Sequence, residues 1–140
     1  MIQKLNELSL FFPAFNEEDN IEKAIEHALQ VLPEVAEKYE VIIVNDGSKD
    51  ATLERSAEIA SKNNLVRVVS QENKGYGGAI KLGLATCKYD WIFFSDADLQ
   101  FDLSEIKKFL DHASSRQLVI GFRQNRAEGW KRVFLVSALR

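Results

Sequence analysis

Residues 8–12, 40–44, 65–69 and 91–95 are short apolar runs, and each is followed by a stretch whose small and apolar residues return at helical spacing. Runs of this length, bounded by polar residues, read as strands covered on both faces, the pattern of a parallel sheet. The first helix carries Ile21, Ala24, Ile25, Ala28, Leu29 and Leu32 on one side, with Asp19 or Asn20 as its cap and Pro13 stopping the strand before it. Thr52, Leu53, Ser56, Ala57 and Ala60 mark the inner face of a second helix, ended at Asn63-Asn64. Ala79, Ile80, Gly83, Leu84 and Cys87 mark a third. Residues 103–113 give a fourth, with Ile106, Phe109, Leu110 and Ala113 inward and a capping-box spacing from Asp102 to Glu105, and residues 118–120 are a fifth strand. The expected class is α/β, a mostly parallel sheet sandwiched between helices.

With 140 residues, 46% of them hydrophobic and 28% charged, the chain suits one soluble domain. A net charge of −3 gives no footprint for nucleic acid, so no nucleic-acid partner is expected. A single Cys87 cannot form an internal disulfide and reads as a small buried hydrophobe. The amino terminus lacks a signal-peptide core, and no run approaches the roughly 18 apolar residues of a membrane span, so the expected location is cytoplasmic.

Ligands of open α/β sheets bind outside the carboxyl ends of the strands. Asp96 and Asp98 follow the fourth strand there, and two carboxylates one residue apart suit Mg²⁺ or Mn²⁺, which completes its shell with substrate phosphate. A turn or cap role is the plainer reading, but Asp102 already fills the next cap. Asp46 ends the second strand before Gly47, where it either contacts a base or ribose or serves the turn. Glu17 and Glu18 lie before the first helix, where its dipole favours them. The turn at 13–18 has no glycine, which excludes the dinucleotide fingerprint. Lys74 and the glycines at 75, 77 and 78 open a helix in a manner suited to an anion, without the Gly-Lys-Ser/Thr of a P-loop. At 124–140, Arg126, Lys131, Arg132 and Arg140 interleave with Trp130, Val133, Phe134, Leu135 and Ala138, an expected amphipathic basic helix or lid. Either its cations face water, or it lies against an anionic membrane. It ends at Arg140 without a stop signal, which suggests a piece of a longer chain.

Pro13-Ala14-Phe15-Asn16-Glu17, Val44-Asn45-Asp46-Gly47-Ser48, Asn73-Lys74-Gly75-Tyr76-Gly77-Gly78-Ala79 and Asp96-Ala97-Asp98-Leu99-Gln100 occur in the order found in family 2 glycosyltransferases of the GT-A fold. With Gly-x-Arg at 121–123 and Trp130-Lys131-Arg132, the chain most resembles the dolichol-phosphate mannose synthase and polyprenyl-phosphate glycosyltransferase branch. The resemblance implies a nucleotide-sugar-binding core over 1–122 and the start of an incomplete acceptor-side segment over 123–140. Pro13, Phe15 and Glu17 would contact the donor's base and ribose, Val44 and Asp46 would frame the base, and Lys74 would lie near the nucleotide. Asp96 and Ala97 would lie against the donor, Asp98 would hold the metal with Asp96, Gln100 would support metal or phosphates, and Arg123 would face phosphate. Phe15 stands where Tyr is common in the family.

The implied reaction is inverting transfer from a GDP- or UDP-sugar to a polyprenyl phosphate at the cytoplasmic face of a membrane, with Mg²⁺ or Mn²⁺ neutralising the leaving diphosphate. Such a phosphate is already an anionic nucleophile, so no protein base is needed, whereas a sugar hydroxyl needs one. The alternatives are transfer to a saccharide hydroxyl, a donor-binding module without transfer, and a sugar-phosphate nucleotidyltransferase. The last would carry a glycine-rich first turn.

Overall fold

The computed structural model describes residues 4–100, 102–113, 118–122 and 132–137, with side chains as far as Leu110. The elements are β1 (Leu5–Ala14), α1 (Ile21–Val35), β2 (Ala36–Asp46), α2 (Thr52–Lys62), β3 (Val66–Gln71), α3 (Gly75–Thr86) and β4 (Trp91–Phe94). A 3₁₀ turn (Leu103–Glu105) then leads into α4 (Ile106–Ala113), followed by β5 (Leu118–Phe122) and β6 (Arg132–Ser137). They form one sheet in the order β3-β2-β1-β4-β6-β5. The first four strands in that order pair in parallel, and β6 runs antiparallel to both β4 and β5.

Strand alternation divides the core. Leu8, Leu10, Phe12 and Ala14 of β1, with Val41, Ile43 and Phe93, meet the buried stripes of α1 and α4 on one face. Phe11, Ile42, Val44, Ile92 and Phe94 meet α3 on the other. Because both faces are covered, the strands carry unbroken apolar runs rather than an alternation of polar and apolar residues. Phe11 stacks on Phe94 with centroids 4.9 Å apart, and Gly83 lets α3 descend onto that ring.

At the amino-terminal end of the sheet lies a buried polar cluster. Glu40, 2% exposed, accepts hydrogen bonds from the Ser9 hydroxyl and from the Lys88 backbone N–H at 2.9 Å. Arg67 donates to it through Nε at 2.9 Å and lies 2.7 Å away through Nη2. Ser9 in turn accepts from the Tyr89 N–H, and Arg67 donates to the Thr86 carbonyl. Cys87 lies beside this cluster, where burial first and then the charge of Glu40 push its thiol up to about 12. The thiol is neutral there and behaves as a small core group.

Several expectations need correction. β1 does not stop at Pro13: Pro13 and Ala14 pair with Val44 and Asn45. The β4 pairing ends at Phe11, so Pro13 has a strand neighbour on one side only, an edge-like position that tolerates a missing N–H. Asn20 begins α1 without a side-chain cap, and its amide instead donates to the Glu17 carboxylate. Leu53 is exposed, leaving Thr52 and Ser56 as the buried contacts of α2. Asp102 does cap, accepting from the Ser104 N–H, but Glu105 pairs with Lys108 instead of closing the box. Within the expected basic helix, residues 132–137 form β6. The run Val133-Phe134-Leu135-Val136 holds two β-branched residues and one aromatic, and β4 and β5 offer open edges on either side. The remainder of 123–140 lies outside the described residues.

Replacing Gly83→Ala tests the α3 contact. A Cβ there would lie 2.3 Å from the Phe11 ring, and overpacking of this kind costs about 1–3 kcal/mol against the ~1 kcal/mol that Ala gains over Gly in a helix. Denaturant titration should show a net loss. Adding Phe11→Leu should give a double variant more stable than the sum of the two single changes predicts.

Candidate functional site

The sheet grows from β1 through β2 to β3 in one direction and then restarts with β4 on the other side of β1. That reversal opens a crevice beyond the carboxyl ends of β1 and β4. Strand alternation puts Pro13 and Asp46 on the α3 face, and a pocket of about 250 Å³ opens there. Pro13, Ala14, Phe15, Asp46, Asn73, Gly75, Tyr76 and Ala79 line it.

The loops after β1 and β2 are joined to each other. Asn16, in the left-handed region at φ 54°, accepts from the Lys49 N–H through its side chain and donates its own N–H to the Ser48 hydroxyl at 3.0 Å. The Glu17 N–H donates to the Thr52 hydroxyl at 2.8 Å, and the Glu18 N–H donates to Asp50. The Glu18 carboxylate returns to accept from the Ala51 N–H at the start of α2, and Arg55 donates to the Glu18 carbonyl. These two acids therefore do more than face a helix dipole: Glu18 satisfies an orphan donor of another helix, and Glu17 fixes Asn20. Phe15, 46% exposed, stands on this braced loop with its ring at the pocket.

Asp46 is 4% exposed, and its Oδ1 accepts from Gln71 Nε2 at 3.0 Å and from the Lys74 N–H at 2.8 Å. It serves the turn and lines the pocket at once. Gly47, at φ 72°, is held to glycine twice over, since a Cβ would also lie 2.6 Å from the Asn73 backbone nitrogen. The glycine-rich stretch is the first turn of α3 rather than a loop before it. Gly75 makes the turn at φ 80°, and Gly78 leaves room for the Lys74 side chain. Tyr76 lines the pocket and hydrogen-bonds Asp96. Burial, then the charge of Asp96 and that hydrogen bond, push its phenol up to about 12. Asp98 accepts from the Gln100 N–H at 3.1 Å across Leu99, whose φ of 65° is a strained value for a non-glycine residue.

Of the expected site residues, Pro13, Phe15 and Asp46 come together in the pocket, and the Lys74 backbone is held by Asp46. Asp96 joins them through Tyr76. Val44 is fully buried beneath α3 and is not a lining residue, and Ala97 packs into the opposite-face core. Among the described residues no group of three or more His, Cys, Asp or Glu gathers around one point. Arg123 lies outside the described residues. Asn73 and Tyr76 stand in the motif at 73–79 without a role of their own in the sequence reading, and nothing in the sequence indicates the loop-to-loop bonds. An aromatic residue between glycines in a helix's first turn was the available signal for Tyr76.

Comparison with known proteins gives a consistent result. The family described as Glycosyl transferase family 2 matches residues 9–138. An undecaprenyl-phosphate 4-deoxy-4-formamido-L-arabinose transferase of Proteus mirabilis is 31% identical over 93% of the chain and 41% of the relative. A dodecaprenyl-phosphate galacturonate synthase of Rhizobium johnstonii is 34% identical over 88% of the chain and 38% of the relative. The chain thus spans about two fifths of the length of these relatives. Among solved structures, the glucosyl-3-phosphoglycerate synthase of Mycobacterium tuberculosis in complex with UDP aligns with a TM-score of 0.68 and 28% identity, over 86% of this chain and 46% of that one. The fold is also that of a mannosyltransferase of Pyrobaculum calidifontis, with a TM-score of 0.70 at 16% identity, over 84% of this chain and 35% of that one.

The braced loops carry a pH signature. Burial pushes the Asp50 carboxyl up, but hydrogen bonds from the Thr52 hydroxyl and from the N–H groups of Thr52, Glu18 and Asp50 itself outweigh it, and the group ends below its ordinary 3.8. The unfolded chain therefore takes up this proton first. The stability that Asp50 contributes is complete above 3.8 and is lost as pH falls through its lowered folded value. Asp50→Asn should make the acid limb of the stability curve shallower, measured by denaturant midpoints across that range. An unaltered limb would mean that the brace does not depend on the charge.

Proposed function

The chain belongs to glycosyltransferase family 2, and from that premise we propose that its crevice binds a nucleoside-diphosphate sugar, whose sugar the protein transfers, with inversion, to a polyprenyl phosphate. The observation that carries this reading is the pocket beyond the carboxyl ends of β1 and β2, with Asp46 and the Phe15 ring in its wall and Asp96 joined to it through Tyr76. Phe15 offers a flat face to the base, Pro13 shapes the adjoining wall, and Asp46 accepts hydrogen bonds from base or ribose. Glu17 and Val44 support that subsite, through the braced loop and from beneath α3 respectively. Lys74 adds positive charge near the nucleotide, and Ala97 keeps the turn close against the core.

Asp96 and Asp98, one residue apart after β4, would offer carboxylate oxygens to a hard divalent cation, with phosphate and water completing the shell. Gln100, one residue on, supports that set or the phosphates. Mg²⁺ or Mn²⁺ held there would neutralise charge on the leaving diphosphate. The M. tuberculosis relative is known with Mn²⁺ and UDP, and the P. calidifontis protein with GDP-mannose and Mn²⁺, so both UDP- and GDP-sugars are donors to test.

The names of the P. mirabilis and R. johnstonii relatives support a polyprenyl-phosphate acceptor. A phosphate monoester with a second pKa near ~6 is an anion at neutral pH and can attack without a protein base. The segment over 123–140 would begin the acceptor side, with Arg123 serving phosphate, and a basic residue near an anionic membrane surface is worth about 1 kcal/mol. No helix among the described residues is long and apolar enough to cross a membrane.

Calorimetry with UDP-, GDP- and dTDP-sugars in Mg²⁺, Mn²⁺ or EDTA tests the donor site, and transfer assays with polyprenyl phosphate beside soluble saccharides test the acceptor. Asp98→Asn should abolish most of the metal-linked affinity while leaving the fold intact. Asp46→Ala should weaken nucleoside binding by roughly 1.5–3 kcal/mol, the scale of a hydrogen bond to a charged group. Unchanged nucleoside affinity with lowered thermal stability would return Asp46 to the turn alone. Efficient transfer to a saccharide hydroxyl, with none to lipid phosphate, would refute the acceptor and leave the donor site standing.

A further inference from the structure

Tyr76 is the second residue of α3, a helix packed over β1 and β2, yet its hydroxyl reaches a carboxylate that follows β4, on the far side of β1. Its ring lines the same pocket as Phe15 and remains 53% exposed. A ring that exposed gains little from burial, so packing does not account for it. Gly75, which lines the pocket beside it, turns the chain at φ 80° into open space. A phenol O–H donated to the Asp96 carboxylate occupies one of its acceptor sites and holds its orientation.

Resting on the donor-site reading above, we propose that Tyr76 is a positioning residue for Asp96, its hydroxyl aiming the carboxylate at the nucleotide and cation while its ring forms the second aromatic wall of the base subsite. Hydroxyl and ring then have separable effects. The hydroxyl governs how much the cation adds to nucleotide affinity, because it acts through Asp96. The ring governs affinity for the nucleoside itself, because stacking needs no cation.

The experiment measures UDP and GDP affinity for the unaltered chain, Tyr76→Phe and Tyr76→Leu, each in Mn²⁺ and in EDTA, together with uridine and guanosine alone and thermal unfolding. The unaltered chain should bind one of the nucleotides with an Mn²⁺ enhancement. Tyr76→Phe should unfold at the same temperature, bind the nucleoside as before and lose about tenfold of that enhancement, the scale of a charge-assisted hydrogen bond. Tyr76→Leu should lose nucleoside affinity as well. A merely structural tyrosine would lower the Mn²⁺ and EDTA affinities by the same factor in both variants, and that result overturns the proposal. So does a Phe variant with its enhancement intact. If the unaltered chain binds neither nucleotide, the donor-site reading itself has failed, and this proposal falls with it.

Discussion

One buried carboxylate holds the lower end of this sheet together. Glu40 sits on β2 and gathers donors from β1, from β3 and from the connection between α3 and β4, and the Tyr89–Ser9 and Arg67–Thr86 bonds tie those three pieces to one another. An unpaired charge in that position would be intolerable, and removing one partner of such a pair typically costs about 3–5 kcal/mol. Because every donor is backbone or a short or half-exposed side chain, the arrangement fixes the relative height of three strands. The register of β1 against β2 and β4, and so the level at which their carboxyl ends stop, is consistent with that fixed base.

The opposite end has the same chemistry in another arrangement. Asp46 lines a pocket and holds the Lys74 backbone, Asp96 meets the Tyr76 hydroxyl at that pocket, and Asp98 holds the turn that follows. The loops carrying Phe15 and Glu17 are braced by side chains 32 to 35 residues away, so their shape does not wait for a ligand. A pocket ordered in advance loses less entropy when it binds, which favours affinity from few contacts. The left-handed Leu99 fits this picture, since strained backbone persists where the surroundings overdetermine it, and here the Asp98–Gln100 bond spans it.

How much of this could be read from residues alone follows from the range of each interaction. Strands covered on both faces print themselves as unbroken apolar runs, so β1 to β4 and the helices between them were legible, and with them the row of polar motifs at the strand ends. Pro13 misled because its tolerance depends on where β4 stops, which no local pattern records. Residues 132–137 misled because their apolar run sits among cations and can be set at either period, and the pairing that decides it comes from a strand some 40 residues earlier. Within the site, Asp46 was ambiguous between turn and ligand because it has both positions. The Glu18-to-Ala51 bond and the Tyr76-to-Asp96 bond join residues from separate motifs, and nothing in either motif announces its partner.

The place of β6 has a consequence for how such a chain is made. In space β6 lies between β4 and β5, but it is synthesised after both. Until residues 132–137 leave the ribosome, β4 presents Trp91-Ile92-Phe93-Phe94 with one side of its backbone unpaired, and β5 has no partner in the sheet. A long apolar edge is the feature that invites pairing with another nascent chain. β6, which emerges after both of its neighbours, is thus the strand that joins them, and a ribosome that stalls before it leaves a polypeptide with its four parallel strands made and the β4 flank uncovered.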